Sequence, residues 1–488
     1  MSMIKVEGLT FAYPSNGEPV FENVNFQIDT DWKLGFIGRN GRGKTTFLKL
    51  LLGLHEYSGT IQTSVQFDYF PYPVREPSRR TAEVLEDVCP AAEDWERMRE
   101  LSCLEVDDSV LDRPFSTLSH GEQTKVLLAA LFLNEGHFLL IDEPTNHLDR
   151  AGRELVAAYL KRKKSFILVS HDRHFLDGCV DHILSLNRAD IEVQSGNFTS
   201  WMDNFTRQQE FERTQNERLQ KDVKRLQQAA RRSAVWSDRT EASKIGAYDK
   251  GFIGHKAAKM MKRSKSIEAR QKQALEDKSK LLKNVETAES LKLFPQSYHA
   301  ERLVVFSEVS AVYDGRRVCE PISFTIQRGE RVALEGKNGS GKSSLLKLLL
   351  GEPVEHTGEL TIGSGLVISY VPQNTDHLRG SLTEFAKQSQ IEESLFKTIL
   401  RKMDFQRAQF EKAIEDFSEG QKKKVLLARS LCQRAHLYIW DEPLNFIDVY
   451  SRMQIEELLC QFSPTMIFVE HDQVFQETIA TKHICLSP

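Results

Sequence analysis

Lys44 and Lys342 each close a glycine-rich run, GRNGRGKTT ending at Thr46 and GKNGSGKSS ending at Ser344. Gly38, Asn40, Gly41, Gly43 and Thr46 in the first run correspond to Gly336, Asn338, Gly339, Gly341 and Ser344 in the second. A loop of this composition can turn its backbone N–H groups onto phosphates, and the lysine adds a point charge for the β and γ groups. Thr45 and Ser343 supply hydroxyls that can ligate magnesium. Far downstream of each lysine stands an adjacent carboxylate pair, Asp142-Glu143 and Asp441-Glu442. In such a pair the aspartate can hold a magnesium shell while the glutamate polarises an attacking water, which is the chemistry of phosphoryl transfer. His171 and His471 follow the aspartates by 29 and 30 residues. Either would read as a structural strand-end residue if it stood alone; in this order each is suited to contact a γ-phosphate.

These residues need a scaffold, and the surrounding sequence supplies the same one twice. An apolar strand (LGFIG, VALEG) enters each glycine loop and a helix (TTFLKLLLG, SSLLKLLLG) leaves it, the setting that a P-loop requires. LLIDEPTNHLD returns as YIWDEPLNFID, and VSHD as VEHD. From the P-loop lysine to the serine of LSHGEQTKV or FSEGQKKKV is 75 residues in one repeat and 76 in the other. These last segments place Ser119-Gly121 and Ser418-Gly420 at helix starts, each a second phosphate seat. The chain therefore reads as a duplicated α/β domain, at residues 1–202 and 291–488, with a different segment at 203–290.

At this point the chain resembles the ATP-binding cassette ATPases, and LSHGEQTKV and FSEGQKKKV resemble their signature motif. The resemblance implies a head-to-tail sandwich with two ATP sites. Site one would join Lys44, Glu143 and His171 to Ser418 and Gly420. Site two would join Lys342, Glu442 and His471 to Ser119 and Gly121. Tyr13 and Tyr313 fall where the family places an aromatic on adenine, with ordinary strand packing as the other reading. In the second repeat Gln373 of YVPQN matches the family's Q-loop, a further magnesium and water ligand, whereas the first repeat has YFPYP with Tyr72 there. A phenol cannot supply the same carboxamide, so slower turnover is expected at site one. His120, Phe417 and Glu419 depart from the usual signature but leave its serine and second glycine in place.

Composition narrows the class. With 40% hydrophobic and 27% charged residues the chain is that of a soluble globular protein. It shows neither a membrane-length apolar run nor a signal peptide, so a cytoplasmic location is expected. The seven cysteines contain no CxxC pair, which argues against a zinc site or disulfide framework. The net charge of −4 conceals an excess of ten positive charges between residues 207 and 280. That segment suits a polyanion.

Leu219, Val223, Leu226 and Ala230 recur at helical steps, and Met260, Ile267, Ala274 and Leu281 recur every seven residues. Gly246, Gly251 and Gly254 between them predict a helical hairpin with its tip near 238–255. Lys256, Lys259, Lys262, Arg263 and Lys265 are candidate phosphate contacts or solvated helix residues. Lys244, Tyr248, Phe252 and Ile253 either cap the hairpin or reach RNA, tRNA or a bound drug.

An extended basic hairpin between two cassettes resembles the ABC-F class, whose linker enters the ribosomal tRNA exit site. FIGRNGRGKTT, KRSKS and YIWDEPLN look like the Lsa-type resistance proteins of that class. The resemblance implies a monomeric, magnesium-dependent ATPase that meets large-subunit rRNA and P-site tRNA of the bacterial ribosome, with neither membrane nor DNA as partner. It further implies protection against lincosamides, streptogramin A and pleuromutilins. A housekeeping translation factor and, less well matched, the ATPase subunit of an exporter are the competing readings.

Overall fold

The computed structural model describes residues 2–14, 19–146, 148–187, 191–212, 290–313, 315–337 and 339–487, with isolated positions between 214 and 273. Asn338, Lys244, Tyr248, Phe252, Ile253, Lys256 and the expected tip at 238–255 lie outside the described residues. The chain forms two compact units. One comprises residues 1–186, 190–199 and 288–488, and the other residues 187–189 and 200–287. In the second unit residues 201–212 are helical, and Lys259, Lys262, Arg263 and Lys265 are exposed helical positions.

Both repeats belong to the first unit, and each is built on a parallel sheet. In the first repeat the strand order is Gln66–Phe70, His137–Asp142, Phe166–Val169, Lys33–Gly38, His182–Leu186, Ile191–Ser195, with only the last strand antiparallel. The second repeat has Ile368–Val371, Leu437–Asp441, Met466–Val469, Arg331–Glu335 and Lys482–Cys485 in the matching order, all parallel. Strands such as FILV and MIFV are buried at every residue. Such continuous apolar runs are what a parallel sheet covered on both faces requires. The carboxyl ends of these strands form the crevice where α/β sheets bind ligands, and all the P-loop and carboxylate residues fall there.

Smaller antiparallel sheets close the cores. Met3–Ala12 pairs with Pro19–Asp29 and Ser58–Gln62, and Arg302–Tyr313 pairs with Ile322–Gln327 and Glu355–Ile362. Phe47 on the P-loop helix Lys44–Leu51 meets Phe21, Phe26 and Phe36 at centroid separations of 6.1, 5.6 and 5.6 Å, which fixes that helix between the two sheets. In the second repeat a separate apolar cluster joins Phe396, Ile399 and Leu400 to Phe417 and Val425. That cluster seats the helix Glu419–Cys432, whose N-terminus carries the signature residues. Among the described residues no helix is long and apolar enough to cross a membrane.

Candidate functional site

The P-loop helices Lys44–Leu51 and Lys342–Leu349 start from Gly43 and its counterpart Gly341, whose φ values of 104° and 87° are left-handed. Only glycine adopts that backbone without strain. At Gly43 there is also no room, since a Cβ would lie 2.5 Å from Val20. Lys44 Nζ donates to the carbonyls of Gly38 (2.7 Å) and Arg39 (3.3 Å), and Lys342 Nζ to those of Gly336 (2.8 Å) and Lys337 (2.9 Å). Burial lowers the affinity of both ammonium groups for their protons, against the pull of nearby carboxylates.

Each carboxylate pair ends a buried strand. Thr45 Oγ1 and the Tyr69 phenol both donate to Asp142 Oδ2, at 2.9 and 3.1 Å. In the second repeat Ser343 bonds Asp441, and the carboxamide of Gln373 bonds Glu442. Asp441 Oδ1 is buried with no hydrogen-bond partner, and an oxygen left so is the donor that a hard cation takes. Both glutamates adopt left-handed backbones, with φ of 52° at Glu143 and 46° at Glu442. A non-glycine residue held there costs about 1–3 kcal/mol, and such outliers gather at functional sites. The neighbouring strand holds them, since each glutamate N–H donates to a strand-end carbonyl, Val169 or Val469, at 2.9 Å.

His171 Nε2 lies 3.3 Å from Glu143 Oε1 and 3.0 Å from Asn40 Oδ1, while His471 Nε2 lies 3.9 Å from Glu442 Oε1. Burial keeps both imidazoles neutral, His471 being pushed down to about 3. Burial, reinforced by Asp142, pushes the Glu143 carboxyl up to about 8, and Glu442 is raised by the same two causes.

Ser119 and Ser418 cap the signature helices His120–Leu131 and Glu419–Cys432, and a capping box with Glu122 or Gln421 fixes each turn. These helix starts face the opposite repeat's P-loop. Tyr13, Asn40, Gly41, Gly43, Lys44, Thr45, Thr46, Asp142, Glu143, His171, Ser418 and Gly420 line one cavity of about 440 Å³. Ser119, Gly121, Gly339, Gly341, Lys342, Ser343, Ser344, Gln373, Glu442 and His471 line another of about 850 Å³. Gly38, Gly336 and Asp441 line neither cavity. Tyr13 bonds Thr46 Oγ1 at 2.8 Å, whereas Tyr313 is exposed and does not line the second cavity. Tyr72 lines neither cavity.

The two sites differ in what holds them shut, and apart from Asn40 sequence reasoning missed the residues responsible. At site one the Asn40 carboxamide donates to the Phe446 carbonyl (2.5 Å), Arg42 pairs with Asp404 (3.0 Å), Arg173 forks onto Glu456, and Arg39 lies over the Tyr450 ring (5.2 Å). The positions equivalent to Arg42 and Asp404 are Ser340 and Glu105; those equivalent to Arg173 and Glu456 are Gln473 and Ala157; and Ala151 stands for Tyr450. None of these can form the corresponding pair. The only signal available beforehand was this mismatch between repeats. Gly420 sits inside the shut interface, where a Cβ would lie 2.4 Å from the Phe446 carbonyl oxygen. Gly420→Ala should therefore weaken ATP binding at site one about ten-fold or more, roughly 1.4 kcal/mol. Titration of a fluorescent ATP analogue into the Gly420→Ala protein checks this, and an unchanged affinity for both sites contradicts it.

The sequence profile described as ABC transporter matches residues 21–146 and 319–445, about half of the chain. The chain is 29% identical over 486 residues to the "Ribosome protection protein VmlR" of Bacillus subtilis, spanning 98% of this chain and 85% of the relative. It is also 29% identical over 484 residues to the "ATP-binding protein Uup" of Caulobacter vibrioides, spanning 96% and 75%. Among solved structures the "RNase-L Inhibitor" has the same fold, with a TM-score of 0.65 at 19% identity over 99% of this chain and 88% of that one. With two P-loops, two carboxylate pairs and two signature helices set against each other, this chain is an ATP-binding ATPase and belongs to the ATP-binding cassette family, in two copies.

Proposed function

We propose that this chain is a cytoplasmic, monomeric ABC-F ATPase that binds the bacterial ribosome and protects it from drugs of the peptidyl transferase region. The observation that carries this reading is the similarity, along almost the full chain, to a relative named for ribosome protection. The excess of positive charge in residues 207–280 supports it, because a basic segment is what rRNA and tRNA phosphates would take. Lys259, Lys262, Arg263 and Lys265 are exposed and available for such contacts. Lys244, Tyr248, Phe252, Ile253 and Lys256, outside the described residues, are the further proposed ribosome- or drug-proximal residues. The comparable identity to Uup, whose name carries no resistance, keeps a housekeeping translation factor as the second reading.

In the proposed cycle ATP is held between the repeats. The P-loop N–H groups and Lys44 or Lys342 bind its phosphates, and the opposite signature serine and glycine close over them. Thr45 with Asp142, and Ser343 with Asp441 and Gln373, would hold Mg²⁺, which when bound neutralises charge on the phosphates. Glu143 and Glu442 orient and polarise the attacking water, and neutral His171 and His471 offer one ring nitrogen to the γ-phosphate. Site one, latched by four contacts between the repeats, serves as the hinge and turns over slowly. Site two opens, closes and hydrolyses.

The discriminating experiment is expression in a susceptible bacterium with a panel of lincosamide, streptogramin A and pleuromutilin drugs, alongside drug-accumulation measurements. Raised resistance at unchanged accumulation supports protection. No shift for any of these drugs would favour the housekeeping factor, and lowered accumulation would favour export.

A further inference from the structure

Lys423 is 1% exposed, yet among the described residues no carboxylate forms an ion pair with it. Its Nζ instead donates to three main-chain carbonyls, those of Pro372 (2.9 Å), Glu442 (3.1 Å) and Asp441 (3.5 Å). The side chain thus runs from the signature helix Glu419–Cys432 to two other segments of the same repeat. One is the turn that carries Gln373, and the other is the strand end that carries the strained Glu442. A second link runs parallel to it, because the buried Thr375 hydroxyl bonds the Glu419 carboxylate. The N-terminus of this helix forms the wall of site one, whereas Glu442 and Gln373 form the wall of site two. Lys423 therefore joins the two sites through a single repeat.

The first repeat lacks the device. Thr124 occupies the position equivalent to Lys423, and Val74 that of Thr375. A threonine is three atoms shorter than a lysine and does not reach the strand end, and valine has no hydroxyl.

Resting on the site assignment above, we propose that Lys423 is a positioning residue for ATP hydrolysis, transmitting closure of the signature helix over ATP at site one to the backbone that aims Glu442 at site two. Only the second repeat carries such a strut, so it aims Glu442 at site two and has no counterpart that would aim Glu143 at site one. When the Ser418 end of the helix moves, the ammonium group draws the Pro372 and Glu442 carbonyls with it. Displacements of this kind, well under the distance of an atom, are large for a water-orienting carboxylate.

A double-mutant cycle on the full chain tests this, with steady-state ATP hydrolysis and ATP affinity as readouts. Lys423→Met should lower kcat on the order of ten-fold while KM stays within about two-fold. Lys44→Met, which disables phosphate binding at site one, should lower site-two turnover by a similar factor. The Lys44→Met/Lys423→Met protein should then lose no more than either single variant, since both break one line of coupling. Losses that multiply, to about a hundred-fold, would overturn the proposal, as would a Lys423→Met kcat within two-fold of wild type. Lys423→Gln, which keeps a donor for one carbonyl, guards against simple misfolding: it should retain the thermal unfolding midpoint and give an intermediate kcat. A kcat for Lys423→Gln equal to wild type at an unchanged midpoint would also count against the strut. If Glu442→Gln leaves turnover intact, the site assignment itself fails, whatever Lys423 does.

Discussion

Glu442→Gln should lower steady-state ATP hydrolysis about a hundred-fold, whereas Glu143→Gln should lower it by less than about three-fold. Both glutamates end equivalent strands with the same left-handed backbone, so the difference must come from their surroundings. Around Glu442 the Gln373 carboxamide is in place, Asp441 keeps a free buried oxygen for a cation, and the cavity measures about 850 Å³. Around Glu143 one oxygen of the adjacent Asp142, Oδ2, accepts from both Thr45 and the Tyr69 phenol, and the cavity is about half as large. The latch formed by Arg42 with Asp404 and Arg173 with Glu456 further slows the opening that product release requires. Equal losses in the two variants would contradict the asymmetry.

Lys424→Met should destabilise the protein by roughly 3–5 kcal/mol, the cost of leaving a buried charge unpaired. Lys424 Nζ lies 2.7 Å from Asp448 Oδ2, and the two side chains are 3% and 0% exposed. Burial alone would raise the Asp448 carboxyl, but Lys424 holds it well below the usual carboxylate range. Without the lysine, the Ser451 N–H and hydroxyl, at 3.0 Å each, the Asn40 N–H, at 3.4 Å, and the more distant charge of Arg39 remain to support that carboxylate. Because the folded carboxyl titrates below its unfolded value of 3.8, the pair stabilises fully at neutral pH and its contribution fades as pH falls below that value. Calorimetric melting at pH 7 and pH 3.5 should therefore show a gap between wild type and Lys424→Met that narrows on acidification. Adding Asp448→Asn should restore part of the lost stability, and a double variant as unstable as the sum of the singles would contradict the pairing.

What could be read from the sequence was local. The glycine loops, the Asp-Glu pairs and the serine-glycine helix starts each need fixed residue types within a few positions, so spacing alone revealed them. The repeat then implied parallel sheets, since each strand had to end at the same crevice. Contacts that cross from one repeat to the other left no such trace. Asn40 and Asp448 are 408 residues apart, and Arg173 and Glu456 are 283 apart, with no periodicity to join them. Phase within a motif was also hidden. In YFPYP attention falls on Tyr72, which replaces the glutamine, yet it is Tyr69 that reaches the carboxylate. Lys423 was concealed in a run of three lysines, KKK, that reads as a solvated helix face. Only the packing distinguishes the two buried lysines, 423 and 424, from Lys422, which pairs with Glu419 at 3.0 Å nearer the surface.

The most direct test of a ribosome-binding cycle driven by ATP is co-sedimentation of the Glu143→Gln/Glu442→Gln protein with bacterial ribosomes. With ATP present, the double variant should close on nucleotide and remain bound, pelleting with ribosomes several-fold more than wild type, and the excess should vanish without ATP. Pelleting no greater than wild type, or equal with and without ATP, would contradict the account.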